Sequence, residues 1–103
     1  MMAATISRLE AGVSSDYIVN DGIMSIALIY VPAEHRRGGL GTRELKRLIS
    51  IADERGWQIE LMADGVFGVP VQSLVAWYMR HGFIVMGSYG SGARVRMIRY
   101  RAA

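Results

Sequence analysis

The chain contains no cysteine. That excludes disulfides, thiolate metal ligation and any route through a cysteine acyl-enzyme. Its histidines, His35 and His81, stand apart in sequence and do not make a metal site, so no metal is expected. The only lysine is Lys46. The longest apolar run, Ile23 to Val31, is about nine residues, far short of the ~20 that cross a bilayer. The first residues carry Arg8 and Glu10 and lack the continuous apolar stretch of a secretory leader. The expectation is a cytoplasmic protein with no membrane partner. No internal repeat or low-complexity tract is visible.

What is present is a hydrophobic, mildly basic chain. Of 103 residues, 51% are hydrophobic, which suits one globular domain over residues 1–103, able to bury roughly 60% or more of its unfolded surface. The net charge is +3, carried almost wholly by arginine. Arg36, Arg37 and Arg43 crowd one turn and set up a positive field for an anion. Arg94, Arg96, Arg99 and Arg101 lie along the last strand, where charge commonly blunts an exposed edge. Apart from Tyr100 no aromatic side chain interleaves them, which argues against a nucleic-acid partner.

Thr5 to Glu10 and Asp16 to Asn20 read as short strands. Asn20-Asp21-Gly22 is a tight-turn signal leading into Ile23–Val31, a strand apolar on both faces. Leu45, Leu48, Ile49 and Ala52 fall on one stripe of a helix from Leu40 to Arg55, with Glu44, Arg47, Asp53 and Arg55 over the rest and Gly56 as C-cap. Trp57 to Ala63 alternates, placing Trp57, Ile59 and Leu61 on one face and Gln58, Glu60 and Met62 on the other. Pro70 opens a second helix that runs to about His81. Phe83–Met86 and Ala93–Arg101 form a hairpin, with a bulge expected near Met97-Ile98, where the apolar face changes side. The order is β-β-β-α-β-α-β-β, an α/β (α+β) domain with a mixed, mostly antiparallel sheet and two helices.

Between the third strand and the first helix lies Val31-Pro-Ala-Glu-His-Arg-Arg-Gly-Gly-Leu-Gly-Thr42. A basic, glycine-rich turn that opens a helix gathers bare backbone N–H groups and the positive end of the helix dipole, which suits a phosphate. Walker A requires a lysine that this turn lacks. The dinucleotide fingerprint would start at Gly39-Leu-Gly41 but meets Glu44 instead of glycine. Arg36-x-x-Gly39-x-Gly41 does resemble the Arg/Gln-x-x-Gly-x-Gly/Ala signature of the GNAT acyl-CoA N-acyltransferases. A second segment, Ser73-Leu-Val-Ala-Trp-Tyr78-Met-Arg-His-Gly82-Phe83, is similar to that family's late helix, which ends in Tyr-x-x-x-Gly-Phe. Val95 to Tyr100 is similar to its last strand. The resemblance spans roughly residues 20 to 101.

The resemblance implies a compact GNAT-like fold that lacks the family's first strand and helix pair, much as small phage-borne members are pared down. That segment forms one wall of the acceptor site, so either the cleft is open or a second subunit of a homodimer supplies the wall. It implies acetyl-CoA as co-substrate, held by backbone and side chains of Arg36, Arg37, Gly38, Gly39, Leu40, Gly41 and Thr42. It also implies that strand 23–31 splays from strand 57–63, with the pantetheine arm pairing near Tyr30 and Val31. Many relatives have an asparagine where Val71 stands; Ser73 is the nearest substitute. Tyr78 matches the family's tyrosine that protonates the departing thiolate. It is otherwise a half-buried core aromatic, as its neighbour Trp77 is expected to be. The base is open: the strand before the turn offers only Ser25 and Tyr30, leaving Glu60 as the best carboxylate, with Glu34, Asp64 or a water chain behind it. His35 reads as a turn residue, and His81 as a cap on the late helix.

The function so implied is direct acetyl transfer to an amine in a ternary complex, the acceptor being a small molecule or a protein lysine or N-terminus. The alternative is a non-catalytic CoA-binding module, or a small phage-type protein-modifying inhibitor. An arginine-rich adaptor for protein or nucleic acid is the third reading.

Overall fold

Eight elements alternate as anticipated in the computed structural model, which describes residues 4–10, 13–30, 39–64 and 70–101. They are β1 (Ala4–Glu10), β2 (Val13–Asn20), β3 (Ile23–Tyr30), α1 (Leu40–Arg55), β4 (Gln58–Asp64), α2 (Val71–Met79), β5 (Ile84–Tyr89) and β6 (Arg94–Arg99). The strands form one six-stranded sheet in the order β1-β2-β3-β4-β6-β5. Only β3 and β4 run parallel; the other neighbours are antiparallel.

Local chemistry sets the element ends. Asp21 (φ 53°) and Gly22 (φ 75°) both sit in the left-handed region, the pairing that a two-residue hairpin turn between right-twisted strands demands. Gly56 (φ 70°) closes α1, with its N–H on the carbonyls of Ala52 and Asp53. Gln58 then donates its N–H to the Gly22 carbonyl at 3.0 Å, fixing where β4 enters beside β3. Pro70 precedes α2, as its missing N–H allows. The helix stops at Met79, short of the expected His81, because Gly82 (φ 91°) turns the chain away.

The β3-α1-β4 and β4-α2-β5 crossovers advance the same way across the sheet, and right-handed crossovers then lay both helices on one face. Side chains agree. Leu45, Leu48 and Ala52 of α1 and Tyr78 of α2 share one core with Met24, Ile26, Ile59, Leu61, Ala63, Phe83 and Met97. A side chain fully buried there contributes ~1.5–3 kcal/mol. On the opposite face Ser25, Ala27 and Met62 are exposed. Strand β3 is therefore not covered on both faces as its composition suggests: Met24 and Ile26 are buried, while Ser25 and Ala27 are exposed.

Two further expectations are corrected. The last strand is no edge. It lies between β4 and β5, and its arginines serve ion pairs: Arg96 with Glu60 and Arg99 with Asp53, each at 2.6 Å. The strand that does form this edge, β5, is uncharged. The bulge also lies elsewhere. β6 keeps register through Met97 and Ile98, which face opposite sides, and the irregularity falls in β5 between Val85 and Gly87.

Candidate functional site

The sheet opens between β3 and β4, its parallel neighbours. β3 and β4 pair from Ile23↔Gln58 to Ile26↔Leu61 and no further. Beyond that point β3 stays with β2 as far as Tyr30, and β4 stays with β6 as far as Asp64. The divergence starts at an extra residue. Asp16 pairs with Leu28 and Tyr17 with Ile26, so Ala27 bulges and bends β3 aside. Backbone groups facing the gap lack a strand partner there, and such groups seek hydrogen bonds. An extended ligand arm can supply them as an added strand would. The gap widens toward the carboxyl ends of the strands, the usual ligand end of a parallel crossover.

Helix α1 begins at that end. Gly39 is its N-cap, left-handed at φ 77°, and itself offers no side-chain cap to the first-turn N–H groups. Its carbonyl takes the first helical bond from Arg43 at 2.9 Å. No acidic residue occupies the first turn. Gly41 differs from Gly39 in kind, because it lies inside the helix and is not left-handed. Any residue fits that backbone, and glycine costs a helix ~1 kcal/mol relative to alanine. A glycine with no backbone reason for being there marks a place where something approaches closely. Val31, Glu34, His35, Arg36, Arg37 and Gly38 lie outside the described residues; Tyr30 ends β3 and Leu40 begins α1.

Tyr78, on α2, is buried beneath the helix face of the sheet. Its ring meets Phe83 edge-on at 5.4 Å and Trp77 at 4.9 Å. Desolvation pushes its phenol up from 10.0 to about 12, so the hydroxyl keeps its proton throughout the neutral range. No buried side-chain polar atom among the described residues lacks a partner. The Tyr-x-x-x-Gly-Phe signature thereby gains a physical reading. Tyr78 and Phe83 pack edge to face, and Gly82 makes the left-handed turn between them. A Cβ on Gly82 would also come within 3.2 Å of Arg99 Nε. Arg99 donates to the His81 carbonyl at 3.1 Å and grips Asp53 of α1, joining the far ends of the two helices. His81 meets the Trp77 carbonyl through Nδ1 at 2.9 Å, as a helix-end cap does.

Glu60 and Tyr78 lie on opposite faces of β4. Glu60 precedes Leu61, the last residue paired to β3, so it stands at the apex of the gap on the open face. There its Oε1 accepts from Arg96 at 2.6 Å. Ser73 is exposed in the first turn of α2, its N–H on the Pro70 carbonyl.

Two contacts were hidden from the sequence. Glu44, expected on the polar side of α1, is only 6% exposed. It accepts from the buried Ser15 hydroxyl of β2 and from Arg47, whose Nε and Nη2 donate at 2.9 and 2.6 Å. Its partner Ser15 is 29 residues away, beyond any helical pattern. Removing one member of a buried ion pair costs ~3–5 kcal/mol, and part-exposed Arg47 recovers water. Arg47→Ala, which strips this cation from the buried Glu44 carboxylate, should therefore lower stability by about 3 kcal/mol in urea unfolding, more than Glu44→Ala does. The second contact is Trp77, whose indole N–H donates to the Thr42 hydroxyl at 3.0 Å.

No family model and no curated protein matches the sequence. Solved structures do match, at identities that show the fold alone. The ribosomal-protein-S18-alanine N-acetyltransferase of Escherichia coli superposes with a TM-score of 0.74 at 18% identity, over 98% of this chain and 71% of that one. The anti-CRISPR protein AcrVA5 gives 0.72 at 19% identity, over 89% of this chain and 96% of that one. The PaiA N-acetyltransferase of Thermoplasma acidophilum, solved with coenzyme A, gives 0.68 at 16% identity, over 85% and 52%. This chain thus spans from about half to nearly all of such neighbours. It has the GNAT acyltransferase fold, and no helix among the described residues is long and apolar enough to cross a membrane.

Proposed function

We propose that this protein transfers an acetyl group from acetyl-CoA directly to an amine. The observation that carries the proposal is the parting of β3 from β4 after Ile26 and Leu61, which opens toward the uncapped start of α1. The diphosphate would sit on the first-turn amides, with Gly41 leaving room and Arg36, Arg37 and Thr42 adding charge and a hydroxyl. Gly38, Gly39 and Leu40 supply backbone. The pantetheine arm would run along the gap beside Tyr30 and Val31, with Ser73 flanking it from α2. CoA use by a solved neighbour of the same fold supports this.

The gap also separates the two chemical tasks. Tyr78 serves the departing sulfur from the helix face, and Glu60 receives the amine's proton on the open face, where an acceptor has access. An acceptor lysine, of pKa ~10.4, is mostly protonated at neutral pH, so a base is needed. Glu60→Gln should lower kcat by ~10²-fold if Glu60 is that base. An unchanged rate would leave the proton to solvent.

A non-catalytic CoA-binding module is the second reading, favoured by one observation: Arg96 already occupies Glu60. Calorimetric titration with CoA, together with thiol release over a panel of amines, peptides and proteins, separates the two. Binding with turnover supports the transferase. Binding without turnover on any acceptor supports the module, and no binding removes both.

A further inference from the structure

Resting on the reading of the α1 start as a diphosphate site, we propose that Trp77 is a positioning residue that couples that site to Tyr78. Its side chain touches both. The indole N–H donates to Thr42 Oγ1, the third residue of α1, at 3.0 Å. The centroid of the same ring lies 4.9 Å from that of Tyr78, the two planes tilted by 49°. His81 packs edge-on against the indole at 5.9 Å and fixes it from beyond the helix end.

A hydroxyl carries one proton and two acceptor positions. Trp77 fills an acceptor position, which leaves the Thr42 proton to be donated. A threonine in a helix otherwise swings its hydroxyl back to the preceding turn. The indole holds it in a single orientation. The resulting relay, from indole N–H to hydroxyl to phosphate oxygen, strengthens each bond by polarisation. A phosphate on Thr42 therefore tightens the bond that locates Trp77, and Trp77 in turn backs the Tyr78 ring. Arg99 ties α1 to the end of α2 at Asp53 and His81; Trp77 and Thr42 tie them at the cofactor end. The bare expectation of Trp77 as core is only half of its role, because the partner its N–H finds is a hydroxyl in the first turn of α1, the turn read as the diphosphate site.

The test is a double-mutant cycle on CoA affinity, with pantetheine as the probe that lacks the diphosphate. Trp77→Phe keeps an aromatic ring against Tyr78 and deletes the N–H; Thr42→Val deletes the hydroxyl. Each should weaken CoA binding about 5- to 20-fold, between the worth of a neutral and of a charge-assisted hydrogen bond. The double variant should be little worse than either single one. Pantetheine affinity should stay within twofold throughout. Thr42→Ser, which keeps the hydroxyl, should restore CoA affinity. With acetyl-CoA as donor, Trp77→Phe should also lower kcat severalfold. Additive losses, or equal losses with pantetheine, would overturn the coupling and leave Trp77 as packing. Wild-type protein that binds no CoA would instead overturn the diphosphate site on which the coupling rests.

Discussion

Gly41→Val should abolish CoA binding while leaving a folded domain. The two glycines at the start of α1 separate this effect from simple damage. Gly39 needs its left-handed φ of 77° for the chain to enter the helix, so a side chain there strains the backbone whatever the ligand does. Gly41 is inside α1 and carries no such requirement. A Cβ at Gly41 costs the protein nothing in backbone terms. Gly41→Ala should even stabilise it, by up to about 1 kcal/mol. The same alanine should weaken CoA if phosphate oxygens close on that turn. Opposite signs in stability and affinity are difficult to obtain from general disruption. Unfolding curves and CoA titrations on the two variants would reveal them, and unchanged affinity would contradict the assignment.

Tyr78→Phe should lower kcat by ~10²-fold with little change in KM for the cofactor. How Tyr78 acts can be argued from its surroundings. Burial raises its phenol to about 12. A thiol has a pKa of ~8.5, so handing the proton wholly to the leaving thiolate runs uphill by ~5 kcal/mol. Donating a hydrogen bond to the developing charge does not. The larger share of its effect is therefore transition-state stabilisation by a fixed donor, with the sulfur's proton coming ultimately from the attacking amine. The same burial has a signature in stability. The unfolded chain releases this proton near 10 and the folded one near 12, so stability is intact below pH 10 and falls as the pH rises toward 12. The loss approaches ~2–3 kcal/mol. Phenylalanine at position 78 should remove that component and flatten the curve, and an unaltered rate would return Tyr78 to a purely structural role.

Much of this was legible because it is local. Asn20-Asp21-Gly22, Gly56 and Pro70 declare their turns within a few residues, and Ile59, Leu61 and Ala63 alternate as a half-covered strand must. The segment from Tyr78 to Phe83 was recognisable for the same reason, since an edge-on aromatic pair bridged by a left-handed glycine is a single local device. The misread features are those decided by distant partners. The last strand was expected at an edge because arginines suit edges, yet it slots between two earlier strands and spends those arginines on Glu60 and Asp53. Glu44 reads as solvent-facing until Ser15, on a strand far earlier in the chain, is placed beneath it.

One consequence follows from how little joins the two halves of the sheet. Strands β1 to β3 form one antiparallel block and β4 to β6 another, and only the rungs from Ile23 to Ile26 bridge them. Amide protons along Leu28 to Tyr30 and Met62 to Asp64 that look into the cleft should exchange with solvent well ahead of those in either block. The opening would stay local to this seam, because α1 and the shared core hold both blocks from the helix face. A ligand lying in the cleft would act as the missing rung, slowing exchange on both sides together.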